Sequence, residues 1–368
     1  MNSFKYYSSG RGEDRSELSI LEVPSFFSPS HYPNHELAQS ITMAPTILIV
    51  GATGNTGRSV VSTLSSLIGN SSPSNPLHNH QILALTRSSK SSAAQQLAAL
   101  PSVKVLQKVW VDIDPSFLQE RSIVRAFIAS HNEPTQFAEE SKFHLALLHA
   151  GVDFVVRIST TAANVRPDYK AYYPRQHWAV EALLSSPEFA QGGSASKGLK
   201  WTSLQPNVFT QFVLGPAVAF VKEFRKTEKL PQGPLRLMAS EDARVGIVDP
   251  DDVGILAAHL LASENPDVHN GKKYVVNGPE DITGKQIVEM VEQEIGKKIE
   301  VLYKDRSSVE AMAEGVPLQQ RSLILSIKHA PETAWEGKCG TETTSKEVLE
   351  IAAPTRTPGA LFKTMLEE

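Results

Sequence analysis

Runs of apolar and β-branched residues alternate with stretches whose apolar positions recur every three to four residues. Thr46-Ile-Leu-Ile-Val50 has the make-up of a buried strand, and Arg58–Ile68 behind it carries apolar residues at helical intervals. The same reading predicts strands at Gln81–Thr86, at Val103–Leu106 with a broken continuation over Val109–Val111, and at Ile123–Ala129, Phe154–Ile158 and Trp201–Leu204. Helical patterns at Ser92–Leu100, Gln136–Leu148 and Tyr173–Leu184 fall between them. Strands and helices in strict alternation predict an α/β fold: a doubly wound parallel sheet with right-handed crossovers.

After Pro206 the rhythm loosens. A helix is expected over Val208–Phe224, a polar, turn-rich stretch over Gln232–Arg244, a short strand at Gly246–Val248 and a helix from Pro250 to Leu261, N-capped within Asp249–Asp252. Then come a strand at Lys273–Val276, a capping box at Thr283-Gly-Lys-Gln286 opening a helix to Ile295, a strand at Glu300–Tyr303 and a mainly helical remainder. We read residues 44–206 as a dinucleotide-binding domain. Residues 207–368 are read as a smaller α+β lobe, interleaved with it, over the C-terminal edge of the sheet. Residues 1–43 are rich in Ser, Pro and Tyr and read as a disordered tail, with a short docking helix around Ser16–Leu21 as the alternative. The tail lacks the apolar core of a secretory signal, its acids (Glu13, Asp14, Glu17, Glu22) argue against a transit peptide, and Met43 resembles a natural start.

Directly behind the first strand stands Gly51-Ala-Thr53-Gly54-Asn55-Thr56-Gly57, which then runs into a helix. Strand, glycine turn and helix together place a dinucleotide diphosphate on backbone N–H groups at a helix N-terminus, so the sheet is expected to be Rossmann-like. In this reading Gly51 permits the tight turn, Gly54 lets the backbone approach the phosphates and Gly57 lets the helix pack close to the strand. Thr53, Asn55 and Thr56 complete the loop.

Composition narrows the partners. The 368 residues carry 36 basic and 40 acidic side chains, a net charge of −4, which gives no reason to expect nucleic-acid binding. One cysteine, Cys339, rules out an intrachain disulfide and a multi-cysteine metal site. His144 and His149 lack metal-ligand spacing, so no metal is expected. No apolar run has the length of a membrane span. A cytoplasmic location fits this cysteine usage.

The tip of the second strand selects the cofactor. NAD sites usually place an acid there to hold the ribose hydroxyls. Here the strand runs into Thr86-Arg87-Ser88-Ser89-Lys90, with no acid. Arg87 can pair with a 2′-phosphate, Ser88 can donate to it and Lys90 is close by, so NADP(H) is expected, with NAD(H) as the alternative.

Catalytic signals are less complete. The fifth strand ends in Arg157-Ile-Ser159-Thr160-Thr161, which offers hydroxyls, and the following helix holds Tyr172, Tyr173 and His177. Neither tyrosine has a lysine four residues on, so the Tyr-x-x-x-Lys pair of standard short-chain reductases is missing. His177 can hydrogen-bond the nicotinamide ribose or relay a proton near neutral pH, with Tyr173 one turn earlier in the same pocket; the alternative pairs His177 with Glu181. Asn132, after the fourth strand, or Gln136 can meet the nicotinamide half, or that stretch is an ordinary polar loop. Pro206-Asn207-Val208-Phe209 follows the sixth strand and can line the substrate pocket, and Phe209 and Phe212 can stack on an aromatic substrate or fill the core.

Ile47–Gly57, the His177…Glu181-Ala-Leu-Leu helix and Trp201-Thr-Ser-Leu-Gln-Pro-Asn-Val-Phe209 carry a specific resemblance. From Met43 to about Leu349 the chain resembles the NmrA-like family of atypical short-chain reductases, in a fungal-looking version. Gln205 stands where that family's Leu-Arg-Pro-x-x-Phe motif commonly has arginine. Members that reduce phenylpropanoids have lysine at the position of His177, and members resembling quinone and dye reductases have histidine. The resemblance implies an NADP(H)-dependent reductase of a small conjugated carbonyl, quinone or enone, in fungal secondary metabolism. In that reading Tyr173, His177 and Ser159 serve the substrate. The rival reading is a non-catalytic NAD(P)(H) sensor that binds a protein partner, in cytoplasm or nucleus, and the third an isomerase or cyclase.

Overall fold

The computed structural model describes residues 44–72, 77–193, 195 and 197–368. The expected tail, its alternative docking helix and part of the loop after Gly69 lie outside the described residues. Seven parallel strands form the main sheet, in the order β3-β2-β1-β4-β5-β6-β8. They are β1 Thr46–Val50, β2 Gln81–Thr86, β3 Val103–Gln107, β4 Ile123–Ile128, β5 Phe154–Ile158, β6 Lys200–Pro206 and β8 Lys272–Val276. A parallel pair, β7 Leu235–Arg236 and β9 Val301–Leu302, stands apart. The fold is thus the Rossmann-like α/β architecture that the alternating pattern predicts. Strand order reverses between β1 and β4, and ligands of such sheets bind in the crevice at that point.

Fourteen helices are described among these residues. The first nine are α1 Asn55–Gly69, α2 Ser92–Ala98, α3 Pro115–Glu120, α4 Gln136–Ala150, α5 Tyr172–Leu184, α6 Pro187–Gln191, α7 Thr210–Thr227, α8 Pro250–Ala262 and α9 Gly284–Ile295. α10 Ser307–Glu314, α11 Leu318–Ser326, α12 Glu332–Trp335, α13 Lys346–Ala352 and α14 Pro358–Glu367 follow. One sheet face is buried under α1 and α8, with Ile47, Ile49, Val60, Leu64, Leu256 and Leu260 in one core. The opposite face packs Leu48, Val50, Phe143, Leu147, Val155 and Val180 beneath α4 and α5. A third core gathers Leu214, Val218, Ile287, Val291 and Phe362 from α7, α9 and α14. Alternate β1 residues thus serve opposite faces, as the period of a strand requires.

Two of these contacts position the site. α1 and α8 touch closely because Gly254 has no side chain: a Cβ there would lie 2.6 Å from both Ser59 Cβ and the Thr56 carbonyl. Ser59 Oγ donates to the Asp251 carbonyl at 3.0 Å and pins the pair. α8 begins at Asp249, whose side chain accepts from the Asp251 N–H, and α9 begins at the full Thr283–Gln286 capping box; both caps match the sequence reading.

Three expected elements differ. Val109–Val111 does not continue β3; Trp110–Asp112 is a 3-10 turn. Ladder pairing ends where β2 ends, with the Lys108 N–H on the Thr86 carbonyl, and Trp110 then turns edge-on to Phe143. Gly246–Val248 forms only an isolated bridge, Phe209 to Val248, because its N–H groups go to three separate places, the carbonyls of Cys339, Val245 and Val208, rather than to one ladder. α7 starts at Thr210 rather than Val208, since Val208 N–H is held by Asn207 Oδ1 and Thr210 N–H by the Val248 carbonyl.

Candidate functional site

The glycine turn occupies the reversal point of the sheet. Gly51 has φ +81°, and a Cβ there would press to 3.0 Å from the Ala129 carbonyl beyond β4. A Cβ on Gly57 would lie 2.1 Å from the Gly51 carbonyl, so only glycine lets α1 spring from the turn. Gly54 caps α1 without a side chain, and the first turn of the helix contains no acid. Among the described residues the N–H groups of Asn55, Thr56 and Gly57 have no acceptor. Three unpaired donors and the positive end of a 15-residue helix therefore face the crevice, an arrangement suited to an anion.

β2 closes one side of this cradle. Thr53 Oγ1 lies 3.5 Å from Thr86 Oγ1, bringing the glycine turn against the strand tip. The tip is organised by Thr86 itself, whose hydroxyl accepts from the Ser88 N–H at 3.2 Å and donates to the Ser88 carbonyl at 3.1 Å. Arg87, Ser88 and Lys90 are exposed, and neither cation has a side-chain partner among the described residues. The residues expected to meet a dinucleotide phosphate are thus adjacent and free. Asn132 is exposed in the loop after β4 with no side-chain bond among the described residues. Gln136 instead is buried and turned into the protein.

Gln136 Nε2 donates to Ser130 Oγ at 3.0 Å and so joins a buried polar network. Arg157, fully buried near the C-terminal end of β5, gives its Nε to Glu140 at 2.7 Å, Nη1 to Ser203 at 3.0 Å and Nη2 to His177 Nδ1 at 2.9 Å. Ser203 Oγ in turn donates to Glu181 at 2.8 Å. Glu181 also accepts from Gln205 at 3.1 Å and pairs with Lys273 at 3.1 Å. Glu140 further accepts from Ser130 at 2.7 Å and faces His144 at 3.3 Å. Burial pushes the Glu140 carboxyl up, but Arg157 and the His144 hydrogen bond outweigh it and hold it well below the usual range. Glu181 is likewise raised by burial and brought below its ordinary value by Arg157 and Lys273.

This network redefines His177. The ring is 3 % exposed and accepts from Arg157 at Nδ1, so its proton sits on Nε2. Burial first, and Arg157 second, lower its pKa to about 3. It stays neutral near pH 7 and cannot relay a proton there by becoming imidazolium, contrary to the expectation. Glu181 is not its partner either, being held by Ser203, Gln205 and Lys273. Tyr173 stands edge-on to the His177 ring, with centroids 6.4 Å apart. Burial raises its phenol, with Thr160 and Asn164 opposing, so it holds its proton at neutral pH. Ser159 is buried, its N–H on the Leu204 carbonyl at 2.7 Å, while its Oγ makes no well-formed hydrogen bond.

A cleft of about 200 Å³ opens beyond the ends of β5, β6 and β8, lined by Thr161, Gln205, Asn207, Asn277 and Cys339 among others. Tyr173 and His177 do not line it. Asn207 Nδ2 is spent on Asn277 Oδ1 and the Cys339 carbonyl, both at 2.9 Å, so this asparagine clamps the C-terminal segment to the strand ends. Phe212 is 69 % exposed and remote from this lining. A larger groove, about 410 Å³, runs between α9 and α14 past Met290 and Phe362, but no cluster of reactive side chains faces it. Among the described residues no group of His, Cys, Asp or Glu could hold a metal, and no helix is long and apolar enough to cross a membrane.

Sequence reasoning passed over Arg157 as a network centre. The signal was present: a charge inside the apolar run Phe154-Val-Val-Arg-Ile158 requires a buried partner. Its acids, Glu140 and Glu181, stand on two separate helices, so no local spacing reveals them.

No protein-family model matches the chain. A curated relative, the (4-alkanoyl-5-oxo-2,5-dihydrofuran-3-yl)methyl phosphate reductase of Streptomyces griseus, is 24 % identical over 284 residues, covering 77 % of this chain and 86 % of the relative. The NADPH-dependent quinone oxidoreductase QOR2 of Escherichia coli, solved with NADPH, superposes with a TM-score of 0.62 at 20 % identity, over 87 % of this chain and 99 % of that one. NmrA, a negative transcriptional regulator solved with NAD, superposes with a TM-score of 0.61 at 15 % identity, over 88 % and 96 %. At these identities the structural likeness establishes the shared fold.

Proposed function

We propose that the chain binds NADP(H), with NAD(H) as a weaker ligand, and reduces a small conjugated carbonyl, quinone or enone. The observation that carries this reading is the glycine turn at the sheet reversal, where a Cβ-free cradle with three unpaired N–H donors adjoins the β2 tip that carries the exposed Arg87. The residues fit a dinucleotide: α1 receives the diphosphate, Thr53 and the β2 tip flank the adenosine ribose, and Arg87 with Ser88 pairs with a 2′-phosphate. The Streptomyces relative, named as a reductase, and the NADPH-bound quinone oxidoreductase support the same reading. Bound NADPH would supply a hydride from its nicotinamide C4.

The chain's own part is positioning and one proton. In this reading the Tyr173 phenol, kept protonated by burial, donates a hydrogen bond to a substrate oxygen and is the proton source. His177, neutral and locked by Arg157, acts as a fixed wall that sets the angle of Tyr173. An acceptor that is already electrophilic needs little acid catalysis, which suits a site without the Tyr-x-x-x-Lys lysine. The test is NADPH oxidation against a panel of quinones and enones. Turnover is expected, with Tyr173→Phe lowering kcat by about 10²-fold. Tight cofactor binding with no turnover on any acceptor would overturn the catalytic half.

The second reading is a cofactor-sensing regulator. It is favoured by the missing lysine and by a His177 that cannot gain a proton near pH 7, and NmrA is its structural counterpart. A protein partner captured in only one redox state of the cofactor, without turnover, would select it.

A further inference from the structure

We infer that Arg58 is a second arginine of the cofactor site, acting on the diphosphate rather than on the 2′-phosphate; this rests on the dinucleotide reading above. Arg58 is the fourth residue of α1, exposed, and without a side-chain partner among the described residues. It belongs to the exposed stripe Asn55, Arg58, Ser62 and Ser66, so it stands one turn behind Asn55 on the same side of the helix. Helical side chains lean toward the N-terminus, and one turn rises about 5.4 Å, which an extended arginine spans. An extended arginine at this position is thus long enough to reach the level of Asn55 and Gly54, where the unpaired N–H groups gather.

In the free protein this placement is unfavourable. A cation in the first turn adds to the positive end of the macrodipole, and α1 has neither an acid nor a capping side chain to offset it. Arg87 and Lys90 at the β2 tip are also without counter-ions among the described residues. An anion seated on the helix end removes the conflict. Arg87 follows β2, beside the ribose edge, whereas Arg58 rides on the helix that carries the diphosphate. The two arginines therefore read different phosphates. A diphosphate contact is common to NADPH and NADH, so Arg58 raises affinity for both without choosing between them.

The test is calorimetric titration of NADPH and NADH into full-length wild type, Arg58→Gln, Arg58→Lys and Arg87→Ala, with the melting temperature of each free protein. Arg58→Gln should weaken both cofactors alike, about 3- to 10-fold at low salt and less at high salt, with Arg58→Lys recovering part of the loss. Its free form should melt no lower than wild type, and slightly higher, while its NADPH-induced shift shrinks. Unchanged affinity for both cofactors overturns the inference and leaves the dinucleotide reading standing. So does a loss confined to NADPH, which would move Arg58 to the 2′-phosphate, or a lower melting temperature of the free protein, which would make it structural. Absence of binding by folded wild type overturns the reading itself, and this inference with it.

Discussion

Arg157 shows how much one residue can organise. It is fully buried, and Glu140 depends on it for neutralisation while Glu181 shares it with Lys273. Arg157→Met should therefore destabilise the protein by about 3–5 kcal/mol in denaturant titration, because it strands carboxylates in the interior. A loss below 1 kcal/mol would mean that the acids are neutral or solvated. The histidines set the response to acid. His177 titrates at about 3 in the folded state and near 6.5 unfolded, and His144 is lowered as well, so the unfolded chain binds more protons between those values. Stability is then full above about pH 6.5 and falls as pH drops. Glu140 and Glu181, depressed in the fold, add a further loss below their ordinary range near 4.5. His177→Gln should flatten the upper part of this acid limb, measured as melting temperature against pH; an unchanged slope between pH 6.5 and 5 would contradict the neutral, buried ring. The partners of Arg157 were hidden from the sequence because Glu140 and Ser203 lie 17 and 46 positions from it.

At the scale of elements, the chain announces itself where a side-chain period is strict. β1, β2 and β5 stand at their expected residues, since a strand buried on both faces reads as an unbroken apolar run. The capping box of α9 was legible for a similar reason, its chemistry being local. Val109–Val111 misled because two valines and a tryptophan suit a strand, yet a strand needs a neighbour and β2 had already ended. β7, two residues long, carries too few to show a period, whereas β9 falls inside the strand expected at Glu300–Tyr303. The glycines make the sharpest test at this scale. Gly57→Ala places a methyl 2.1 Å from the Gly51 carbonyl and must lift α1 off its turn. We expect a loss of about 1–3 kcal/mol by denaturant unfolding, together with weakened cofactor binding. Gly254→Ala, which crowds Ser59 Cβ and the Thr56 carbonyl on the far side of α1, should cost a similar amount.

The whole molecule combines a legible frame with a concealed interior. Alternation of strand and helix was enough for the parallel, doubly wound sheet, and the glycine spacing marked the crevice that the strand order then places between β1 and β4. The pairing of β8 with β6 and the clamp of Asn207 on Asn277 and Cys339 bring together stretches up to 132 residues apart, which no pattern along the chain encodes. Function at this scale depends on the crevice accepting a nicotinamide dinucleotide. Calorimetric titration of NADPH and NADH into folded full-length protein tests that most directly. The account predicts binding of NADPH tighter than NADH, with Arg87→Ala reducing the affinity for NADPH by about 10-fold or more and scarcely altering NADH. Absence of binding heat from either cofactor would contradict it, and an Arg87→Ala loss equal for both would remove Arg87 from the 2′-phosphate.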